Sequence, residues 1–320
     1  AADQHAHREP DAEPGDQSTP AVVQKRIVEV LPPPPVKPIV PFLEVIHDRV
    51  AVEIMRGCSR GCRFCQAGMV YRPVRERPVN QVLDAVDKQL ASTGHEEVSL
   101  VSLSSTDYSG IRPLLEALLD RYARQRVSIS LPSLRTDAFS VELALQLQRT
   151  RKSGLTFAPE AGSERLRAVI NKGVTAADLL ATAEAAFRSG WQRIKLYFMI
   201  GLPTETDEDV LAIAGLVRDV LAIGRRLAGG RAKLSISVST FIPKPHTPFQ
   251  WAAMCAPEVV ARRQAILQRE LRHRAIDLSW SDEATSRLEG ALSRGDRRLG
   301  RVIQRSWELG ARFDAWAECF

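Results

Sequence analysis

The residues with types and spacing best suited to chemistry are three cysteines within eight positions, Cys58, Cys62 and Cys65. They stand in Glu53-Ile-Met-Arg-Gly-Cys58-Ser-Arg-Gly-Cys62-Arg-Phe-Cys65, which runs into Gln66-Ala-Gly-Met69. The spacing Cys-x3-Cys-x2-Cys follows directly on an apolar run, Val50 to Met55, that alternates like a strand. Thiolates so close along a chain can converge on one soft metal centre, and three ligands on a four-position centre leave one position open to a reactant. Two centres meet that description. An iron–sulfur cluster would make the loop redox-active, whereas zinc in a Cys3His-like site would make it a structural clip.

Phe64, immediately before the third cysteine, adds to the pattern. Cys58-x3-Cys62-x-Phe64-Cys65 resembles the radical S-adenosylmethionine (radical SAM) superfamily. The resemblance implies a [4Fe–4S] cluster on the three thiolates, with the fourth iron chelated by the amino and carboxylate groups of SAM, and it puts Phe64 beside the adenine. A residue merely packed under the loop would occupy the same place.

The elements that must position this loop follow from periodicity. Strand-like and helix-like segments alternate from Val50, the pattern of βα units around a parallel sheet. Strands are expected at Val50–Met55, Glu97–Leu103, Val127–Leu131, Leu155–Ala158, Arg193–Ile200 and Lys233–Phe241. Helices fall between them, among them Pro78–Ala91, Ile111–Arg124, a segment running to Thr150, and Asp207–Ile223. Six strands with right-handed crossovers give an α/β fold, a (βα)6 partial TIM barrel open on one side, which agrees with the radical SAM type. Alternation then assigns faces. Val127, Ile129 and Leu131, Ile194, Leu196, Phe198 and Ile200, and Leu234, Ile236 and Val238 face the helices; Ser128, Ser130, Arg193, Lys195, Tyr197, Ser235, Ser237 and Ser239 face inward. A polar, small interior suits a cavity for a cofactor and a polar substrate, and Lys195 and Tyr197 are candidate substrate contacts.

The polar turns at the carboxyl ends of the strands carry the other candidates. Ser104-Ser-Thr-Asp107 stands where the superfamily pairs with the amino group of SAM, usually through Gly-Gly-Glu; the departure leaves Ser105, Thr106 or Asp107 for that role, or an ordinary polar turn. Phe157-Ala-Pro-Glu160-Ala-Gly-Ser-Glu resembles the Glu-Ser-Gly-Ser motif whose glutamate binds the ribose, which gives Glu160 that role or, alternatively, that of a helix-capping carboxylate. Gly201-Leu-Pro-Thr-Glu-Thr is similar to the turn whose backbone approaches the adenine. Ile242-Pro-Lys-Pro-His246-Thr-Pro resembles the Pro-x-Pro-Gly-Thr-Pro segment of methylthiotransferase-like and cobalamin-linked members. His246 replaces the glycine there, as a substrate-side or proton-transfer residue or a surface histidine.

Composition sets the limits. The 320 residues are 44% apolar and 26% charged, an ordinary globular balance, and no run of 18 apolar residues is present to suggest a membrane span. With five cysteines, three of them in one loop, a disulfide framework is improbable and a reducing cytoplasm is favoured; Cys255 and Cys319 read as buried or incidental thiols. Net charge is +6, but residues 1–20 hold five acids and one base, so the remainder carries 43 bases against 33 acids, or +10. Such a surface can attract RNA or another polyanion, and Arg294, Arg297 and Arg298 form a local patch.

Residues 1–40 read as a disordered, proline-rich linker with Leu31-Pro-Pro-Pro-Pro-Val-Lys-Pro38 as a stiff connector, residues 41–250 as the barrel, and residues 251–320 as a helical extension covering its open side. The nearest resemblance is to uncharacterised radical SAM proteins fused to a cobalamin-binding domain. It implies a possible cobalamin cofactor on an N-terminal domain outside this chain, an electron donor of flavodoxin or ferredoxin type, and an enzyme that cleaves SAM reductively to a 5′-deoxyadenosyl radical. Asp3-Gln-His5 begins like a cobalamin motif but does not continue as one. The alternative from the residues alone is a non-catalytic, zinc-binding, RNA-associated module.

Overall fold

The computed structural model describes residues 24–43, 45–122, 124–125, 127–131 and 155–311. The expectations for residues 1–20, for the helix running to Thr150 and for Cys319 lie outside these residues. The chain divides into two units, Ala1–Leu31 and Pro32–Phe320. In the first, residues 24–31 carry no helix or strand.

The second unit contains the strands β1 (Val50–Glu53), β2 (Met55–Arg56), β3 (Arg75–Glu76), β4 (Glu97–Val101), β5 (Ser128–Ser130), β6 (Leu155–Glu160), β7 (Arg193–Ile200), β8 (Lys233–Thr240) and β9 (Ile276–Trp280). Its helices are α1 (Gln66–Val70), α2 (Val79–Thr93), α3 (Ile111–Tyr122), α4 (Glu164–Val169), α5 (Ala176–Arg188), α6 (Asp207–Ala228), α7 (Pro257–Glu270), α8 (Glu283–Arg294) and α9 (Leu299–Glu308). Two parallel sheets form, β1-β4-β5 and β6-β7-β8-β9. The six anticipated strands are all present in an α/β partial barrel with crossover helices.

The faces follow the alternation. Ile129, Ile194, Leu196, Phe198, Leu234, Ile236 and Val238 are buried against helices, the first against the α2–α3 layer and the others against α5, α6 and α7. The intervening residues are polar and partly open to solvent: Arg193 donates to Ser235 Oγ at 3.3 Å, and the Lys195 ammonium sits 4.6 Å from the Tyr197 ring centre.

Three features depart from the sequence reading. The strand expected over Val50–Met55 breaks at Ile54, and Met55–Arg56 pairs antiparallel with Arg75–Glu76. Two-residue strands carry no period, so this hairpin left no signal. The region from Pro257 onward, expected to be helical throughout, contributes β9 as a fourth parallel strand beside β8. Ile276, Leu278 and Trp280 do alternate with polar residues, but five residues between longer helical stretches are outweighed by the helical period. Thirdly, the proline-rich stretch lies along α2: Pro32 O accepts from Arg77, Pro35 O from Gln89 Nε2 at 2.6 Å, and Val36 O from Ser92. An extended polyproline backbone makes no internal hydrogen bonds, so its carbonyls are free to do this.

Candidate functional site

The β2–β3 hairpin closes the base of the cysteine loop, and glycine lets the chain turn inside it. Gly57 has φ of 90°, and a Cβ there would lie 2.7 Å from the backbone oxygens of both Tyr71 and Pro73. Only glycine fits that position. The loop is also anchored to the end of α4: Arg63 N donates to Ile170 O at 2.9 Å, and Asn171 Nδ2 to Gly61 O at 2.9 Å. On the other side Arg60 forms a two-pronged pair with the Asp107 carboxylate. The Cys65 sulfur accepts the Gly68 N–H at 3.4 Å as α1 begins.

None of the three cysteines is in a disulfide. Among the described residues no three cysteine, histidine, aspartate or glutamate side chains are gathered as a lone metal ion requires. Zinc at about 2.3 Å from three thiolates would draw the sulfurs to within about 4 Å of one another. An iron–sulfur cluster bonds each thiolate through a different iron and takes a wider spread. Three closely spaced thiolates are a soft donor set of the kind that holds an iron–sulfur cluster.

Phe64 packs with Ala161, Leu166, Ile170 and Phe241 at the strand ends. The Lys172 ammonium lies 5.9 Å from the Phe64 ring centre and 3.0 Å from Glu160 Oε1. Glu160 has φ of 69°, a left-handed backbone in a residue other than glycine, where strain commonly accompanies function. The cause is local. The pairing of β6 with β7 passes from Phe157–Leu196 to Glu160–Phe198, one extra residue on β6, at Pro159, which has no N–H to donate. The bulge re-aims the Glu160 side chain. Glu160 does not cap α4, because Ser163 accepts the Leu166 N–H in that position.

In the 104–107 turn the candidates separate. Ser105 is buried and bonded to Ser102 Oγ and Leu100 O; Asp107 is engaged by Arg60 and by Ser104 Oγ at 2.6 Å. Thr106 Oγ1 is buried with no hydrogen-bond partner among the described residues, so its bonding capacity is open to a ligand. His246 is exposed with φ of 63°, which accounts physically for the glycine of the resembling segment. Lys195 and Tyr197 lie on the polar strand face, several residues short of the carboxyl end of β7.

Gly201, with φ of 84°, begins the turn after β7, and its N–H donates to Glu205 Oε2 at 2.6 Å. Sequence reasoning passed over Glu205 and its partner Arg263, also 2.6 Å from Oε2; Lys172 was missed as well. Arg263 further binds Glu205 O at 2.7 Å and Cys255 Sγ at 3.5 Å, and the Cys255 Cβ lies 3.0 Å from where a Gly201 Cβ would be. Cys255 is thus a packing residue of this turn. Burial raises the Glu205 carboxyl to about 7, with the Asp207 and Asp209 charges assisting, against the downward pull of the Gly201 N–H and Arg263. The folded value lies above the ordinary 4.5, so this contribution to stability is fully present below about pH 4.5 and is lost as pH rises to about 7. The melting temperature is expected to fall across that window in the wild type and to fall less in Glu205→Gln; equal slopes would show that Glu205 does not titrate there.

A cavity of about 300 Å³ opens at the ends of β7 and β8. It is lined by Phe64, Met199, Phe241 and Ile242 together with Thr285, Ser286 and Glu289 of α8.

The radical SAM superfamily profile matches residues 52–217, just over half of the chain and every element from β1 into α6. The chain belongs to the radical SAM superfamily. The superfamily is one of enzymes that use an iron–sulfur cluster and SAM, which favours that chemistry over the zinc-binding module. As a radical SAM protein it is 33% identical over 255 residues to an uncharacterized protein of Methanocaldococcus jannaschii, covering 80% of this chain and 54% of that one. It is 28% identical over 246 residues to the tRNA-2-methylthio-N(6)-dimethylallyladenosine synthase of Coxiella burnetii, covering 72% and 52%. The chain thus spans about half the length of these curated relatives. Among solved structures, the radical S-adenosylmethionine methyltransferase TsrM from Kitasatospora setae, with cobalamin and a [4Fe-4S] cluster bound, aligns with a TM-score of 0.51 at 18% identity over 62% of this chain and 38% of that one. That likeness is one of fold. No helix among the described residues is long and apolar enough to cross a membrane.

Proposed function

We propose that this chain binds a [4Fe–4S] cluster on Cys58, Cys62 and Cys65 and SAM beside it, and uses them to abstract a hydrogen atom from a substrate at the carboxyl ends of the strands. The observation that carries this is the convergence of four separate segments around Phe64: the cysteine loop, Glu160 with Lys172, the end of β7 before Gly201, and the end of β8. When bound, the cluster supplies one electron for the reductive cleavage of SAM to a 5′-deoxyadenosyl radical. The protein's part is orientation. Three thiolates hold the cluster and leave one iron for SAM. Thr106 Oγ1 offers an unused hydrogen-bonding atom toward the amino group; Ser105 shapes the turn, and Asp107 holds Arg60 and so fixes the cysteine loop. Glu160 offers its second carboxylate oxygen to the ribose hydroxyls while Lys172 holds the first. Phe64 and the Gly201 turn enclose the adenine.

Reduction calls for an electron donor of flavodoxin or ferredoxin type, and the reduced thiols suit a cytoplasmic setting. Lys195, Tyr197 and His246 are substrate-side groups in this reading. A cobalamin carried by a further domain is compatible with this reading, since TsrM has both cobalamin and a [4Fe-4S] cluster bound. RNA enters with weaker support: Arg298 of the basic patch pairs with Asp296, which offsets part of the charge the patch offers outward. RNA affinity that falls as salt rises would restore it. The deciding experiment is deuterium transfer from a labelled candidate substrate into 5′-deoxyadenosine. Unlabelled 5′-deoxyadenosine from every substrate that is turned over would refute hydrogen abstraction.

A further inference from the structure

The lining residues of the cavity differ in chemistry. Beside the apolar lining residues, the polar part is built from the close of β8, from Ser281 and from α8, where Thr285 and Ser286 stand four and three residues before Glu289. Four of its hydroxyls already direct their protons at the protein. Ser239 donates to Phe198 O at 3.4 Å, Thr240 to Glu283 Oε2 at 3.2 Å, Thr285 to Asp282 Oδ1 at 2.8 Å, and Ser286 to Asp282 O at 2.7 Å. A hydroxyl has one proton and two lone pairs, so each of these can offer a ligand only an acceptor. Glu289 extends the pattern: Lys244 binds its Oε1, and Oε2 has no protein partner among the described residues. Behind Thr240, Glu283 Oε1 is buried without a hydrogen-bond partner among the described residues, 3.8 Å from the Arg287 guanidinium.

From this donor–acceptor balance we infer that the polar part of the cavity, lined by Thr285, Ser286 and Glu289, receives an amine-bearing group of the substrate. An ammonium or amide group brings the hydrogen-bond donors that these atoms lack, whereas a phosphate or carboxylate would meet lone pairs and a carboxylate. Lys244, the one cation of the lining, is already turned to Glu289. The inference rests on the radical SAM reading, since it places the substrate's amine in the cavity that Phe64, the residue taken to border the adenine, also lines. It also gives the C-terminal region a part in substrate choice, through α8.

The test uses the cluster-loaded enzyme with saturating SAM, titrated with cadaverine and with glutarate, two probes of equal chain length and opposite charge. Cadaverine is expected to bind and glutarate not. Glu289→Gln, at an exposed position, is expected to weaken cadaverine at least about tenfold, the effect of replacing a charged acceptor by a neutral one, and to shift SAM less than cadaverine. Thr285→Val should weaken it in the same direction. Equal binding of glutarate, no cadaverine binding, or unchanged affinity in Glu289→Gln overturns the inference. Competition between cadaverine and SAM overturns it too, because the acceptors would then serve the amino groups of SAM itself. Failure of the underlying reading is visible earlier and separately, as an absence of iron before any probe is added.

Discussion

Anaerobically reconstituted Cys58→Ala, Cys62→Ala and Cys65→Ala proteins are each expected to be colourless and to carry almost no iron, whereas the wild type is brown, absorbs broadly at about 400 nm and holds about four irons per chain. The effect should be all-or-none. Three thiolates are the fewest that hold the cluster while leaving an iron for SAM, and the loop that presents them has little freedom to recruit a substitute. Gly57 is wedged against the Tyr71 and Pro73 carbonyls, and Arg63 and Asn171 tie the loop to the end of α4. Cys255 cannot stand in, because it lies against the Gly201 turn and Arg263. Cys255→Ala and Cys319→Ala should therefore keep their iron. Iron and acid-labile sulfide measured across the five variants decide the matter; full iron in any one of the first three would remove that cysteine from the ligand set.

Glu160→Ala should raise the dissociation constant of SAM by roughly 10- to 150-fold, the 1.5–3 kcal/mol of a hydrogen bond to a charged group, while iron content stays at the wild-type level. The separation follows from the fold. Glu160 ends β6, and the cysteines stand on the loop after β2. The substitution also leaves Lys172, which is largely buried, without its 3.0 Å partner, so Glu160→Gln is the companion variant: it keeps the shape and removes the charge. Equilibrium SAM binding to both proteins, read beside their iron content, checks the claim. Unchanged affinity in Glu160→Ala would confine Glu160 to holding Lys172.

The sequence by itself determined what depends on neighbours along the chain. Cysteine spacing is a local property, and so is the alternation that placed Ile194, Leu196 and Phe198 on the helix-facing side and Lys195 and Tyr197 on the other. Glycine at 57 and 201 could be read as a turn for the same reason. Tertiary structure decided what depends on residues far apart in sequence. Nothing near Glu160 announces that a bulge at Pro159 turns it toward Lys172, or that Ser163 takes the capping role. Nothing near Glu205 announces Arg263, 58 positions away, whose guanidinium reaches both its carboxylate and its carbonyl. Asp107 is a candidate for SAM by position, yet an arginine 47 residues earlier occupies it. β9 and the hairpin of β2 and β3 are too short for their periods to stand out, and they form because partner strands supply the hydrogen bonds that five or two residues cannot supply for themselves. Periodicity reports which side of an element is buried; which charges meet across the barrel mouth is set by packing between elements, and that is where this site was completed.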